Sequence, residues 1–245
     1  MCNRAYLQGN PKEERLRMQH LAIIPDGNRR WASKNKLQAI FGHKKGMEAV
    51  RTAIDVCVKN NIKYLSFYTF SLENFRRSEE EKSYLFDLIA DGFKSRLSEL
   101  IAAGVRIRFI GDRNYFPERI SHVIADIENQ TQHLSALNLS LLFCYGSRGE
   151  VVDTVKRLAQ KIKDGFLAIE DITEETISDS LWTAGIPDPD LIVRTSGIVR
   201  ISNFLLYQAA YSEFSFLNCY WPEVTSDILE ECINKFQDTQ RNFGK

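Results

Sequence analysis

Acidic and basic side chains stand together in a short segment after the first apolar stretch of the chain. Residues 23–31 read IIPDGNRRW, so that Asp26 is followed by a glycine and then by Arg29 and Arg30. A carboxylate can hold a divalent cation, while guanidinium groups and free backbone amides bind phosphate oxygens. From physics alone, a metal-bridged diphosphate site and a simple polar turn explain the segment equally well.

Four more places carry polar groups that could bind an anion. Residues 41–46 read FGHKKG and open a helical pattern, and residues 70–78 read FSLENFRRS after an apolar stretch. Residues 194–203 read RTSGIVRISN, and Glu213 enters a later apolar stretch. Free amides at a helix N-terminus bind anions, yet each place could also be a solvated loop, a helix cap or a surface residue. The chain has neither a GxxxxGKS/T loop nor a GxGxxG, which argues against a nucleotide cofactor.

The elements that must position these residues are six apolar stretches that alternate with helical patterns. We predict strands at about 20–25, 62–71, 105–111, 137–145, 191–195 and 214–219. We predict helices at about 44–60, 79–103, 117–134, 150–163, 174–183, 202–211 and 226–242. Near-continuous apolar runs such as LSLLF at 139–143 suit strands that are covered on both faces. The alternation predicts a single α/β domain with a six-stranded, mostly parallel sheet and helices on both faces.

Polar segments that leave the carboxyl ends of parallel strands converge on one rim of the sheet. The rim would then gather a basic patch in a chain whose Lys+Arg and Asp+Glu are both 32. The arginines of the predicted patch are Arg29, Arg30, Arg77, Arg194 and Arg200, and its acids are Asp26 and Glu213. This pattern indicates a site for a polyanion with a metal, without saying which polyanion.

Composition excludes several classes of protein. A chain of 245 residues that is 44% hydrophobic can build one substantial core, and its zero formal charge lacks the basic surplus of nucleic-acid binders. The five cysteines are odd in number and form no CxxC, which favours reduced, cytoplasmic thiols. No stretch approaches the roughly 18 apolar residues of a membrane span. Residues 1–18 are predicted to be a polar arm before the domain at 19–245.

These motifs resemble those of the cis-prenyltransferases, and specifically the bacterial undecaprenyl diphosphate synthases, over residues of about 19–244. The resemblance rests on DGN with RW at 26–31, FGH at 41–43, FS with EN at 70–74, RTSG at 194–197 and RISNFL at 200–205. It continues through AY at 210–211, Glu213 and WP at 221–222. Five motifs in the same order make the resemblance highly specific.

The resemblance implies a Mg²⁺-dependent transferase that adds isopentenyl diphosphate units to an allylic prenyl diphosphate, expected to be farnesyl diphosphate, with cis double bonds. The implied product is a long-chain polyprenyl diphosphate, expected to be undecaprenyl diphosphate for the cell-wall lipid carrier, which grows in an apolar tunnel. A cytoplasmic homodimer that contacts the membrane periphery during product release is also implied. The alternatives are a non-catalytic partner subunit of a heteromeric cis-prenyltransferase and a phosphate-ester or nucleotide enzyme. The acid and arginine cluster argues against the first, and the missing phosphate motifs argue against the second.

The resemblance also implies a role for individual residues. Asp26 is expected to place Mg²⁺, with Glu213 as a second metal-associated acid, and Asn74 is expected to assist proton removal, for which the leaving pyrophosphate is an alternative acceptor. The allylic diphosphate is expected at Gly27, Asn28, Arg29, Arg30 and His43. Isopentenyl diphosphate is expected at Arg77, Arg194, Arg200 and Ser202. Further substrate contacts are expected from Trp31, Ser71, Leu72, Glu73, Phe75 and Ile201.

The chain departs from the family pattern in four places. Ala39 stands where the family often has an arginine, and Leu72 and Phe75 replace a serine and a tryptophan that are common in bacterial members. Ile198 stands where an acid is common, and Asn242 replaces the arginine of an expected Arg-x-Gly. Because Asp26 and the paired arginines are retained, we expect activity. Product length and the preferred primer depend on tunnel packing, which the motifs do not fix.

Overall fold

In a computed structural model, residues 17–239 are described and contain a six-stranded sheet. The strands are β1 (His20–Ile24), β2 (Tyr64–Ser71), β3 (Val105–Ile110), β4 (Leu137–Tyr145), β5 (Leu191–Arg194) and β6 (Glu213–Phe216). Their order is β3-β4-β2-β1-β5-β6, and every neighbouring pair is parallel. The predicted α/β fold with a mostly parallel sheet is confirmed. The predicted arm at 1–18 lies almost wholly outside the described residues.

Helices lie in four of the five connections between successive strands in the described part of the chain, and β5 is joined to β6 without one. The helices are α1 (Asn28–Lys34), α2 (Ala39–Lys59), α3 (Glu79–Lys94), α4 (Leu97–Ala102), α5 (Glu118–Thr131), α6 (Ser147–Lys163), α7 (Glu174–Ser178) and α8 (Ser226–Asp238). Side-chain caps begin two of the longer ones: Ser78 accepts from Glu81 N at α3, and Thr225 accepts from Ile228 N at α8. These polar side chains satisfy amide groups that lack a partner within the helix.

Two apolar clusters cover the two faces of the sheet. The larger joins Phe67 of β2 and Leu141 of β4 to buried side chains of α2, α3, α5 and α8. The smaller joins Ile24 of β1 and Tyr145 of β4 to Phe204, in a segment that crosses the other face. Side chains of a strand alternate between its faces, so strands covered on both sides read as near-continuous apolar runs.

Three predicted helices are corrected by the structure. The helix predicted at 79–103 divides into α3 and α4, and the Ser95 hydroxyl at the break donates to Gly92 O at 3.1 Å. Such local bonds compete with the helical ladder. The helix predicted at 174–183 is only the short α7, and the helix predicted at 202–211 is absent. In the last case φ is +49° at Ser202 and +64° at Asn203, which a right-handed helix cannot accommodate.

The structure also contains a helix that the sequence analysis did not predict. Helix α1 begins directly after Gly27, whose φ of +102° lies in the region that favours glycine. Its close neighbour is α2, where a Cβ added to Gly42 would lie only 2.0 Å from Asn28 O. The absence of a side chain at position 42 therefore allows α2 to pack directly against the backbone of α1. This packing places the residues of α1 beside the sheet.

Candidate active site

The carboxyl ends of β2, β1 and β5 lie side by side in the middle of the sheet and carry the polar motifs. β1 leads into Asp26, β5 ends at Arg194, and β2 leads into a 3₁₀ turn at Leu72–Arg76. Clefts of about 510 and 570 Å³ open at this rim, and both are lined by Asp26, Asn74 and Arg77. The predicted convergence of these motifs on one rim is therefore found in the structure.

Asp26 is held firmly at the centre of the rim. Its Oδ1 accepts from Arg30 Nη2 at 3.0 Å, and its Oδ2 accepts from Arg194 Nη2 at 2.8 Å. Its backbone N–H donates to Thr195 Oγ1 at 2.9 Å, and the same hydroxyl donates to Asp26 O at 2.6 Å. Partial burial by itself raises the pKa of Asp26, but hydrogen bonds and charges from Arg194 and then Arg30 outweigh it and lower the pKa. The carboxylate is therefore ionised near neutral pH.

Arg194 is the link between Asp26 and the loop that follows β5. It is 4% exposed, and its Nη1 donates to Arg200 O at 2.6 Å and to Ser202 Oγ at 2.8 Å. Arg200 Nε donates to the same hydroxyl at 3.1 Å. Two guanidinium groups and one hydroxyl thus meet at one end of the rim, which is the donor set that a diphosphate requires.

A second group of polar residues lines the cleft of about 570 Å³ on the other side of Asp26. All five residues expected to bind the allylic diphosphate are in its lining, namely Gly27, Asn28, Arg29, Arg30 and His43. Asn28 Oδ1 and His43 Nε2 are buried there without a hydrogen-bond partner in the described part of the chain. Burial, with the charges of Arg77 and Arg29, lowers the pKa of His43 to about 4, so the ring is neutral at pH 7. Unsatisfied buried polar atoms are costly and indicate that a ligand or water completes their hydrogen bonds.

Glu81 is a member of the site that the sequence analysis did not identify. Its Oε1 lies 3.0 Å from Arg77 Nη1 and 3.8 Å from Arg29 Nη1. Acids in the first turn of a helix commonly stabilise its N-terminus, so the sequence carried no separate signal for this role. Glu81 thus pairs with two arginines of neighbouring motifs.

The turn after β2 brings Asn74 to the rim. The Asn74 Oδ1 accepts from Ser71 N at 3.1 Å, and Glu73 Oε1 accepts from Asn203 Nδ2 at 2.9 Å. Asn203 and Tyr68 line the cleft of about 510 Å³ together with Ser71 and Glu73. Tyr68 and Asn203 were not predicted as site residues. Tyr68 sits inside an apolar strand, where nothing in the sequence distinguishes it from a core residue.

Some predicted substrate contacts lie away from the clefts. Phe75 packs against Phe70, with ring centroids 5.2 Å apart, and Leu72 lies against the main apolar cluster. Ile201 packs against the smaller cluster. Neither cleft is lined by Trp31, Leu72, Phe75 or Ile201. These four remain predictions as substrate contacts, and the described packing gives the last three a structural role.

Glu213 does not join Asp26 within this chain. It begins β6 and pairs with Leu191 at the start of β5, whereas the rim lies at the other end, beside Arg194. Three residues separate those two levels, which is about 10 Å along a strand. Over residues 17–239, no group of three or more His, Cys, Asp or Glu side chains could hold a metal ion. Within this chain the two acids therefore lie apart, and the metal roles of Asp26 and Glu213 stay predictions.

An apolar cavity of about 240 Å³ lies between α2 and the α3–α4 pair. Its lining includes Met47, Ile54, Gly92, Phe93 and Leu100, with charged residues such as Arg51 and Glu99 at its edge. Arg51 and Glu99 are joined by an ion pair of 2.5 Å. Within residues 17–239, none of the helices is both long and apolar enough to cross a bilayer.

The comparisons with known proteins agree with this fold and site. Residues 24–244 match the prenyltransferase family model described as undecaprenyl diphosphate synthase. The chain is 41% identical over 225 residues to an isoprenyl transferase of Clostridium perfringens, covering 92% of this chain and 89% of that one. A (2E,6E)-farnesyl-diphosphate-specific ditrans,polycis-undecaprenyl-diphosphate synthase of Micrococcus luteus is 37% identical, with 92% and 90% covered.

Two further relatives extend the comparison. A geranylgeranyl-diphosphate-specific tritrans,polycis-undecaprenyl-diphosphate synthase of Thermoplasma acidophilum is 41% identical over 231 residues, which are 94% of this chain and 90% of that one. The crystal structure of lavandulyl diphosphate synthase from Lavandula x intermedia, in complex with dimethylallyl diphosphate, superposes with a TM-score of 0.90. It is 30% identical and covers 94% of this chain and 99% of its own. The fold and rim are thus those of a prenyl diphosphate transferase. The chain belongs to the undecaprenyl diphosphate synthase family of cis-prenyltransferases.

Proposed function

We propose that this chain condenses isopentenyl diphosphate units onto an allylic prenyl diphosphate, with Mg²⁺, to give a long-chain product with cis double bonds. The observation that carries the proposal is the position of Asp26. Its carboxylate lies between Arg30, which belongs to the proposed allylic diphosphate site, and Arg194, which belongs to the proposed isopentenyl diphosphate site. Two anionic substrates bound on either side of one acid can share a single metal ion. Farnesyl diphosphate is the proposed primer and undecaprenyl diphosphate the proposed product.

The residues at the rim fit Mg²⁺. This ion is usually held by one or two carboxylates together with substrate phosphates and water, so one acid is sufficient. Asp26 would hold it, because it is the ionised carboxylate that faces both clefts. The metal would supply charge stabilisation for the departing pyrophosphate. No protein cage of several acids is needed for this chemistry.

The chain's own groups bind and orient the two substrates. Arg194, Arg200 and Ser202 would hold the diphosphate of the isopentenyl unit, whose double bond attacks the allylic carbon. Arg29 and Arg30, with the amide after Gly27, would hold the allylic diphosphate. Fixed donors that stabilise developing charge, together with correct alignment of two reactants, are effective forms of catalysis. The proton lost from the new unit would pass to the leaving pyrophosphate, near Asn74.

The growing chain is proposed to enter the apolar space between α2 and α3. The cavity there measures about 240 Å³ and is lined by Met47, Ile54 and Phe93. Burial of hydrocarbon contributes about 0.8 kcal/mol per CH₂, so each isoprene unit gains a few kcal/mol in this environment. Because so apolar a product leaves slowly into water, its release would be favoured where the enzyme contacts the cytoplasmic surface of the membrane.

A homodimer is also proposed. Val152 and Val155 on α6 are 54% and 59% exposed, and Leu206 lies beside the first turn of that helix and is 40% exposed. Leu206 N donates to Ser147 Oγ at 3.0 Å, which holds the Leu206 backbone against the start of α6. Exposed apolar patches commonly mark protein–protein contacts. Sedimentation or light scattering of the wild type and of Val155→Asp tests this, because the charged side chain should produce a monomer.

One assay tests the activity. Purified protein is incubated with farnesyl diphosphate, labelled isopentenyl diphosphate and Mg²⁺, and the labelled products are separated by length. We expect a long product in the presence of Mg²⁺ and none with chelator, and geranylgeranyl diphosphate in a parallel reaction identifies the preferred primer. A folded protein that makes no product alone, but gains activity with a second chain, would instead be a partner subunit.

A further inference from the structure

We propose that Asn203 is a positioning residue, which ties the turn Leu72–Arg76 to the loop that holds isopentenyl diphosphate. By fixing this turn, Asn203 would fix where Asn74 stands relative to the second substrate. The inference rests on the proposed function, because it gives a task at that site to a residue that the motifs alone did not assign. Asn203 itself need not contact the reacting atoms.

The side chain of Asn203 uses both of its ends. Its Nδ2 donates to Glu73 Oε1 at 2.9 Å, while its Oδ1 accepts from Arg148 N at 2.9 Å. Its backbone carbonyl accepts from Ser147 N, also at 2.9 Å. One residue therefore joins the turn after β2 to the first turn of α6. An asparagine can do so because its carboxamide carries a donor and an acceptor, whereas a carboxylate carries acceptors alone.

The backbone at this position is held in an uncommon conformation. Ser202 and Asn203 have φ of +49° and +64°, and asparagine is among the few residues that tolerate this region well. Such conformations persist where surrounding contacts determine them. We call the two side-chain hydrogen bonds of Asn203, to Glu73 and to Arg148 N, the clasp. Ser202, the preceding residue, accepts from Arg194 and Arg200, so the clasp directly adjoins the proposed isopentenyl diphosphate site.

Movement of Glu73 would be transmitted to Asn74. The two are neighbours in one 3₁₀ turn, and Asn74 Oδ1 accepts from Ser71 N at the start of that turn. Tyr68 supports the other side of the clasp, since its hydroxyl donates to Ser202 O at 3.3 Å. The position of Asn74 in the cleft thus depends on whether the turn is anchored to Asn203.

Gly146 supplies the space that the carboxamide needs. A Cβ added at this position would lie 2.8 Å from Asn203 Nδ2 and 3.4 Å from Leu72 Cδ1. The φ of Gly146 is −164°, which any residue can adopt, so backbone conformation does not require a glycine here. The close approach of Asn203 does. Gly146→Ala is therefore a second, independent way to displace the clasp without altering either of its partners.

The first variant is Asn203→Asp, which separates the two bonds of the side chain. The new carboxylate can still accept from Arg148 N, where negative charge at a helix N-terminus is favourable. It cannot donate to Glu73 and repels it. We expect kcat/KM for isopentenyl diphosphate to fall roughly tenfold, since the lost bond has a charged acceptor. The KM of the allylic primer should change less than about twofold, and melting should remain close to that of the matched control Asn129→Asp on α5.

The Glu73→Gln background provides the decisive comparison. An amide at position 73 can accept from asparagine or donate to a carboxylate, so a hydrogen bond forms with either residue at position 203. In that background Asn203→Asp should change kcat/KM less than about twofold, whatever the activity of Glu73→Gln itself. A tenfold loss in both backgrounds would overturn the clasp, as would no loss in the wild-type background.

Hydrogen exchange of backbone amides gives a result that does not depend on activity. Asn203→Asp and Gly146→Ala should each accelerate exchange in residues 71–77, while amides in the middle of α6 keep their protection. Unchanged exchange in the turn would overturn the inference even in an active enzyme. If the wild type shows no condensation, the proposed function fails, and exchange still decides whether Asn203 anchors the turn.

Discussion

Arg194 Nη2 donates a hydrogen bond of 2.8 Å to Asp26 Oδ2, across 168 positions of sequence. The acid proposed for Mg²⁺ and the arginine proposed for isopentenyl diphosphate are therefore partners in one ion pair. In the proposed function, binding of diphosphate and metal would loosen this pair, because the same N–H cannot serve the carboxylate and a phosphate fully. Substrate binding by Arg194 would then be coupled to metal binding by Asp26.

Asp26→Ala should abolish most of the activity. We expect turnover to fall by two or more orders of magnitude, since removal of a single charge-stabilising group at a reacting centre costs about 10²–10³. The free energy of unfolding should also fall by about 1–3 kcal/mol, because buried Arg194 loses its charged acceptor. Steady-state rates and denaturant unfolding measure the two effects. Asp26→Asn keeps the shape and should restore more stability than turnover, and near-wild-type turnover in either variant would contradict the role.

Arg200→Gln should act on one substrate. Loss of charge-assisted hydrogen bonds to phosphate costs about 1.5–3 kcal/mol, so the KM for isopentenyl diphosphate should rise about 10- to 150-fold. The KM for the allylic primer serves as the internal control and should change little. Arg194 is a poorer choice for this test because its loss also releases Asp26. An effect limited to the allylic substrate would show that the two diphosphate sites are reversed.

Two histidines, the buried His20 and the half-buried His43, should make the protein less stable in mild acid. Burial lowers the pKa of His20 to about 4 despite its hydrogen bond to Pro187 O, and the pKa of His43 also lies at about 4. The unfolded chain binds these protons near pH 6.5, so stability is full above that pH and falls as pH decreases toward 4. Each histidine contributes up to about 1.4 kcal/mol per pH unit in this window.

Chemical denaturation at pH 7.5, 6, 5 and 4.5 measures this dependence. His20→Gln removes one of the two titrating groups, so its slope between pH 6 and 4.5 should be smaller by up to one proton. Its exposed counterpart is His133, and His133→Gln serves as the matched control substitution. Equal slopes for wild type and His20→Gln would show that this imidazole does not control acid stability.

Product length should respond to Gly92 and not to its neighbour Ala90. Gly92 lines the cavity, and a side chain there would meet the flexible end of Met47, with Cβ 2.8 Å from Cε. Gly92→Leu should therefore shorten the product while the first condensation continues, and replacing glycine in a helix offsets part of any packing cost. Ala90 is 1% exposed in the main core. Ala90→Leu should instead cost about 1–3 kcal/mol of stability with unchanged products.

Product separation alongside thermal melts distinguishes the two variants. Side-chain size alone does not separate the cavity wall from the core in this helix, since both positions carry small residues. Identical product distributions from wild type and Gly92→Leu, with a lowered melting temperature, would mean that this cavity does not receive the growing chain.

The sequence by itself determined the six strands and the chemistry at their ends. Each of the six strands lies within three residues of its predicted limits, because near-continuous apolar runs have few alternatives in a chain with turn residues on either side. The parallel arrangement of the strands, though not their order, followed from the alternation with helices. It therefore placed Asp26, Asn74 and Arg194 on one rim before any contact was known.

Tertiary structure decided what local patterns cannot express. The segment around Asn203 looked helical, but its long-range bonds to Arg148 and Glu73 hold it in left-handed backbone. Glu213 looked like a second acid of the site, and the strand register places it at the other end of β5. Hydrogen bonds and register join residues far apart in sequence, and their energies outweigh local propensity, so only the folded chain determines which polar groups meet.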